Sequence, residues 1–454
     1  MWRAVGLWAL AICAASPADA SDRYVIKLIR WEEDYSYLSK QNSRLQGFEG
    51  LELIPLSGDH TFWFSLGGEI RNRLDVIDNS QFGLHPVASY TTGQIRVLLH
   101  GDVHVGHRFR AFAQLGYFNE EGRKPAPRPF DVSDVDLQQA FVDFSPVNFA
   151  RFRVGRQELP LGDQRLSEVR EGFNIRRSFD AAQFDVQISD VQLMGFWGRP
   201  VSNRKGSFDD RSTKREAFYG IYASVPLTTG GANLDAYWLL REKPDVSFAE
   251  GTAEDRRSTF GGRFYGMLGG WDYSVQGLMQ TGRFGSEQIL AYAATSEIGW
   301  TATSWPWRPR FSVRSDVGSG DVRSGDNTLN SFDAPYPNTS YLSLTGAYWP
   351  GNAWSLFPVI AAQPADEATL YLGMQYMARL SLQDGFYYQP ENPILFQGIN
   401  ARRLMTQAYG RVRWEPSPHW TISGLVLYQA AGTATRAVNG KDVAVGSVSV
   451  DWRF

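Results

Sequence analysis

A single cysteine, Cys13, occurs in the 454 residues, and it lies in the first apolar run. Everything downstream of that run therefore lacks disulfides, thiolate metal sites and a cysteine nucleophile. Lysine is almost as scarce: seven of the 45 basic residues are lysine and the rest are arginine. The formal net charge of −3 leaves no global positive field for nucleic acid. No stretch reaches the ~18 consecutive apolar residues of a membrane-spanning helix. The signatures of nucleophile elbows, dinucleotide folds, phosphate loops and zinc helices are missing. No catalytic residue, cofactor or metal site is expected on these grounds.

What is present is alternation. In the segment Val443–Phe454, the residues Ala444, Gly446, Val448, Val450, Trp452 and Phe454 share one face, and Val445, Ser447, Ser449, Asp451 and Arg453 share the other. This is a period-2 strand ending on an aromatic. The closing strand of an outer-membrane barrel has this form, because it pairs with the first strand and faces lipid. Phe454 is accordingly expected to act as the terminal aromatic of an assembly signal.

At the other end, Met1–Arg3 is basic, Ala4–Ala15 is apolar, and Ala18-Asp-Ala20 is a small-x-small cleavage site. Residues 1–20 read as a secretory signal peptide, too short to span a membrane. Residues 21–60 are expected to form a pre-barrel segment at or inside the periplasmic mouth, and 61–454 the barrel.

The same alternation recurs along the chain. In Phe62–Val76, Phe62, Phe64, Leu66, Ile70, Leu74 and Val76 oppose Ser65, Glu69, Arg71, Arg73 and Asp75. In Gly93–Val105, Ile95, Val97, Leu99 and Val103 oppose Gln94, Arg96, His100, Asp102 and His104. Short connections (Ser189-Asp190, Gly269-Gly270) alternate with mostly long polar ones such as Asp78–Ala88, Pro160–Phe179, Pro244–Arg256, Gly320–Gly351, Ser381–Arg403 and Ala431–Asp442. Tight periplasmic turns and long external loops are the pattern of transmembrane barrels. The fold class is therefore all-β: a transmembrane antiparallel barrel of about 18 strands, with about 16 as the alternative. The weakly patterned Asp180–Val201 and Trp354–Ile360 leave that alternative open. The location implied is the outer membrane of a Gram-negative cell.

Taking the aliphatic faces as lipid-facing sends a set of polar residues inward: Glu69, Arg71, Arg73, Arg96, Arg110, Arg151, Arg153, Arg310, Arg314, Arg379, Arg411 and Arg413. A charge facing lipid at the midplane would cost ~2–4 kcal/mol, which supports the inward assignment. Inward arginines either attract anions and bind carboxylates bidentately, or sit in ladders with Asp75, Asp102, Asp143, Asp272, Asp316 and Glu415. His100, Asp102 and His104, spaced two apart, read as a polar wall rather than a metal chelate. Trp305, Trp307, Tyr348, Trp349, Trp354, Tyr387, Tyr388 and Trp420 read as an interfacial girdle.

Several segments, in order, resemble the alginate-export family of outer-membrane barrels. They are Trp31-Glu-Glu-Asp-Tyr-Ser36, Leu53-Ile-Pro-Leu56, Ser65-Leu-Gly-Gly-Glu-Ile-Arg71, Leu137-Gln-Gln-Ala-Phe-Val-Asp143, Gly155-Arg-Gln-Glu-Leu159, Gly162-Asp-Gln-Arg-Leu166, Arg170-Glu-Gly-Phe-Asn174, Arg176-Arg-Ser-Phe-Asp180, Phe332-Asp-Ala-Pro-Tyr-Pro337, Leu356-Phe-Pro358 and Asp384-Gly-Phe-Tyr387. The resemblance implies an Arg-rich, anion-selective lumen and, in the namesake members, secretion of alginate, a polyuronate. It departs from secretion-type members at Glu415-Pro-Ser-Pro-His419, where a long periplasmic loop would stand. Unless Gly320–Gly351 or Ser381–Arg403 folds inward, the pore is expected to be open. The function expected is an outer-membrane pore for anionic polysaccharide or smaller anions. The alternatives are an outer-membrane enzyme and a structural or adhesive barrel without transport. The partners expected are outer-membrane lipid and lipopolysaccharide, the barrel-assembly machinery, the anionic solute and periplasmic export proteins, without nucleic acid.

Overall fold

A computed structural model describes residues 26–40, 48–84, 88–227, 231–338, 350–388, 392–394, 396 and 398–454. The proposed signal peptide lies outside these residues. Eighteen antiparallel strands close into one barrel. They are β1 (Phe62–Asp78), β2 (Tyr90–Val105), β3 (Phe109–Glu121), β4 (Ser133–Val147), β5 (Ala150–Gln157), β6 (Phe179–Ile188), β7 (Val191–Ser202), β8 (Ala217–Pro226), β9 (Asn233–Phe248), β10 (Gly251–Leu268), β11 (Trp271–Phe284), β12 (Glu287–Thr301), β13 (Arg310–Gly318), β14 (Ala353–Ala365), β15 (Ala368–Arg379), β16 (Arg403–Ser417), β17 (Trp420–Ala431) and β18 (Val443–Arg453). The weakly patterned regions are β6, β7 and β14, so the count is eighteen rather than sixteen.

The barrel closes where β1 pairs with β18, with Glu69 opposite Arg453 and Arg71 opposite Asp451. Just beyond β18, the Gly68 N–H donates to the Phe454 main-chain oxygen at 2.8 Å, and the Phe454 N–H donates back to the Gly68 oxygen at 3.1 Å. Closure leaves no unpaired edge. The outward faces carry the exposed apolar residues, among them Ile70, Leu74, Val76, Phe152, Val154 and Val448. An apolar surface this continuous is incompatible with water but suited to lipid.

Connections at the end that bears Phe62 are tight. Gly269 and Gly270 hold φ of +58° and +84°, the pair of left-handed positions that a two-residue hairpin turn demands. At the other end the connections are mostly long. Pro244–Arg256 departs from expectation: β9 and β10 continue through it and turn at Ala249-Glu250, with a register shift between Lys243 and Val246. Hydrophobic alternation stops there because the hairpin leaves the apolar zone, but backbone pairing needs no apolar face and goes on.

The lumen is not uniformly polar. Phe218 of β8, Leu239 of β9, Leu278 of β11 and Ile289 and Ala291 of β12 point inward and are buried. They pack with Leu159, Leu161, Leu166, Phe332 and Tyr336 from two connections that fold into the barrel, residues 158–178 and 319–338. The barrel therefore has an internal core made by its own loops.

Candidate functional site: a constricted lumen with one open sector

The two inward connections meet inside the barrel. The Tyr336 N–H donates to the Leu166 oxygen at 2.9 Å, and the Glu168 N–H donates to the Tyr336 oxygen at 3.0 Å. Arg177 adds a donor to the same Tyr336 oxygen at 2.9 Å, and the Tyr336 hydroxyl donates to Glu216 at 2.7 Å. These contacts narrow the lumen even though the 415–419 turn is tight. Residues 320–338 of Gly320–Gly351 do fold inward, and residues 339–349 lie outside the described ones.

The 158–178 loop is tied to the wall by charge. Arg71 of β1 donates to the Glu171 and Phe173 main-chain oxygens at 2.9 and 2.6 Å. Arg96 of β2 bridges Glu69, at 2.5 Å, and the Glu171 carboxylate. Arg176 pairs with the other Glu171 oxygen, and Arg453 reaches Glu69 at 3.0 Å. Burial pushes the Glu171 carboxyl up, but the Arg176 and Arg96 guanidiniums outweigh it and hold it below the usual carboxylate range. Glu168, further along the loop, is raised to about 8 by burial, which Arg177 only partly offsets.

The remaining arginines singled out by parity fall into four groups. Arg110, Arg151, Arg153 and Arg310 are in ladders: with Asp102 (2.8 Å at Nε), Asp185 (2.9 Å), Asp143 (2.6 Å) and Asp272 (2.9 Å) respectively. Arg73 pairs with Asp75 at 2.8 Å and donates to the Gly172 oxygen at 2.8 Å. Arg379 lies at the outer end of β15, where it donates to the Ile399 and Ala401 oxygens and anchors the 380–402 connection. Arg314 lines the open side and sits over the Phe357 ring (4.7 Å), whereas Arg411 lies near the Tyr371 ring (5.9 Å) and Arg413 beside Glu415 (2.8 Å), outside the lining of that space.

That open side is a cavity of about 270 Å3 between the 158–178 loop and the wall from β9 to β16. Arg165, Arg263, Arg308, Arg310 and Arg314 line it with the carboxylates of Asp163, Asp272 and Glu297, and Asp235 (2.7 Å from Arg263) and Asp366 (3.8 Å from Arg308) also pair with these arginines. Tyr371 and Tyr409 add ring faces. Parity marked Arg310 and Arg314 in this cavity. Arg263 is not in the inward set because its segment is not among those read for alternation, although Phe260 and Phe264 on the outward parity place it inward by the same rule. Arg165 is on a loop, where no period exists to read.

His100, Asp102 and His104 each have neighbours of their own on the inner wall. Asp102 is occupied by Arg110, His104 stacks on Trp63 with centroids 3.8 Å apart, and His100 stacks on Phe112. Trp305, Trp307, Trp354 and Trp420 are exposed on the outer surface as girdle residues would be. Tyr387 is a correction: it is buried, packs on Phe248 and donates its hydroxyl to Asp384, because residues 384–387 also turn inward. Tyr348, Trp349 and the side chain of Tyr388 lie outside the described residues.

The alginate-export family model matches residues 62–440. The chain belongs to the alginate-export family. No curated protein matches its sequence. Among solved structures, this alginate-export member shares its fold with OccAB1 of Acinetobacter baumannii, at TM-score 0.61 and 11% identity over 90% of this chain and 99% of that one. It is similar also to OpdQ of Pseudomonas aeruginosa, at TM-score 0.60 and 10% identity over 86% and 97%. The outer-membrane protein opdK of the same organism follows, at 0.57 and 9% over 86% and 98%. Identities this low speak for the fold alone: the family member is an antiparallel β-barrel of the kind these outer-membrane proteins share.

Proposed function

We propose that this barrel is a passive outer-membrane channel for carboxylated solutes, from small organic anions to single strands of oligouronate, which pass through the open sector. The observation that carries this reading is the cavity of about 270 Å3, lined by five arginines and by the rings of Tyr371 and Tyr409. Guanidinium forks replace part of a carboxylate's hydration shell, and several sites of moderate strength let the solute move on. The ring faces of Tyr371 and Tyr409 suit the apolar face of a sugar or aromatic ring. A cavity of this size holds about nine waters, room for one ring at a time rather than a folded chain. The experiment is planar-bilayer recording with purified protein in a KCl gradient. A reversal potential on the anion side, together with block by glucuronate but not by glucose, supports the reading. Cation preference with equal indifference to both sugars overturns it.

A further inference from the structure

Residues 26–38 form no strand of the barrel, yet they lie inside it. Ile29 and Arg30 are buried, and so are Tyr35 and Leu38, which pack on the inward-facing Trp63. The Arg153 guanidinium lies over the Trp31 ring at 4.1 Å and over the Phe141 ring at 3.9 Å, and the two rings meet edge-on at 6.3 Å. The tip touches the constriction: Arg176, which also holds Glu171, donates to the Leu28 main-chain oxygen at 3.0 Å.

Arg30 has a socket at the seam that closes the barrel. It donates to the Phe454 main-chain oxygen at 2.8 Å and pairs with Glu33 at 3.1 Å and Glu52 at 3.6 Å. The floor of the socket is Gly67. A Cβ there would stand 2.5 Å from Arg30 Nη2 and 2.8 Å from the Phe454 oxygen, so only glycine leaves room for the guanidinium.

We infer that residues 26–38 are a displaceable periplasmic plug, seated by Arg30 in the β1–β18 seam and by Trp31 on Arg153, that closes the β1–β5 sector of the lumen. Its attachment explains why it can leave. The segment contributes no ladder of backbone pairs; side-chain contacts and a handful of hydrogen bonds hold it. Such segments open locally at low free-energy cost compared with the strands around them. Seated, it leaves the sector lined by Arg263, Arg310 and Arg314 as the path; unseated, it widens the channel and loosens the Arg176–Glu171 tie. The inference rests on the channel reading above.

The test uses the full mature chain and two independent variants, W31A at the lumen wall and G67A in the socket. Limited trypsin digestion at Lys27 and Arg30 reports whether the segment is released, and heat-modifiable migration reports that the barrel is intact. The expected result is faster cleavage in both variants and a larger unitary conductance with fewer closures. Released segments with unchanged conductance would overturn the plug. Folded variants whose cleavage and conductance both match the parent would overturn the proposed seat. A parent protein that conducts no ions at all would instead remove the channel reading itself.

Discussion

Arg96 and Glu171 are 75 residues apart in sequence and form an ion pair that joins the barrel wall to a loop inside it. The guanidinium is fully buried, and it is shared with Glu69 on the neighbouring strand. Removing one partner of such a pair strands the other charge. The variant E171Q should therefore destabilise the protein by about 2–3 kcal/mol, less than for a fully enclosed pair because Glu171 keeps some exposure. It should also raise open-channel noise as the 158–178 loop comes free. Thermal unfolding followed by heat-modifiable migration, beside current recording, measures both. Unchanged melting with quiet current would show that the loop is held by its apolar contacts instead.

Glu168 gives the constriction a pH dependence. Its carboxyl is raised from 4.5 to about 8 by burial, against the partial offset of Arg177 and with Glu171 adding to the rise. The folded state thus holds a proton that the unfolded state releases. The stability contribution is full below about pH 4.5 and declines as pH rises toward 8. The variant E168Q, which is always neutral, should flatten this decline. Melting temperatures of the parent and E168Q between pH 5 and 9 make the comparison, and parallel curves would contradict the assignment.

Phe454 joins closure to assembly. Its main chain exchanges two hydrogen bonds with Gly68, and its ring lies 5.0 Å from that of Trp452. Deleting Phe454 removes both the backbone pairing and the Arg30 acceptor. The expected outcome is a reduced fraction of membrane-inserted, heat-modifiable protein at equal expression. An undiminished fraction would mean that β18 closes the barrel without it.

The strands were legible because lipid on one side and a polar lumen on the other impose a strict period of two. Even β6 and β7, weakly patterned, were placed by the tight Ser189-Asp190 turn between them. The loops were not legible. The segment from Arg170 to Asp180 is charge-dense and reads as a solvated external connection, yet Arg176 and Asn174 are buried inside the barrel. Its charges are satisfied by partners such as Arg96 and Glu69 that are distant in sequence, and no local pattern announces such pairing. Inward apolar residues such as Phe218 and Leu239 were obscured for the same reason, since what they face is a loop rather than water. The parity argument located most arginines on the lumen side. It could not separate those locked in ladders, such as Arg110 with Asp102, from those beside open space.

Single-cysteine labelling tests the orientation. A cysteine at Val322, exposed on the long-loop end, should react with an impermeant thiol reagent on intact cells, and one at Gly106, in a tight turn at the opposite end, should not. Labelling at Gly106 alone would invert the orientation.

The central claim is that charge selection occurs in the β9–β16 sector and not at the Arg71–Arg96–Arg110 wall. The most direct measurement is the reversal potential in a KCl gradient for two triple variants that insert normally. Changing Arg263, Arg310 and Arg314 to Gln should move the potential toward cation preference, whereas changing Arg71, Arg96 and Arg110 to Gln should mainly lower thermal stability and leave the potential close to that of the parent. A shift confined to the second variant would contradict the account.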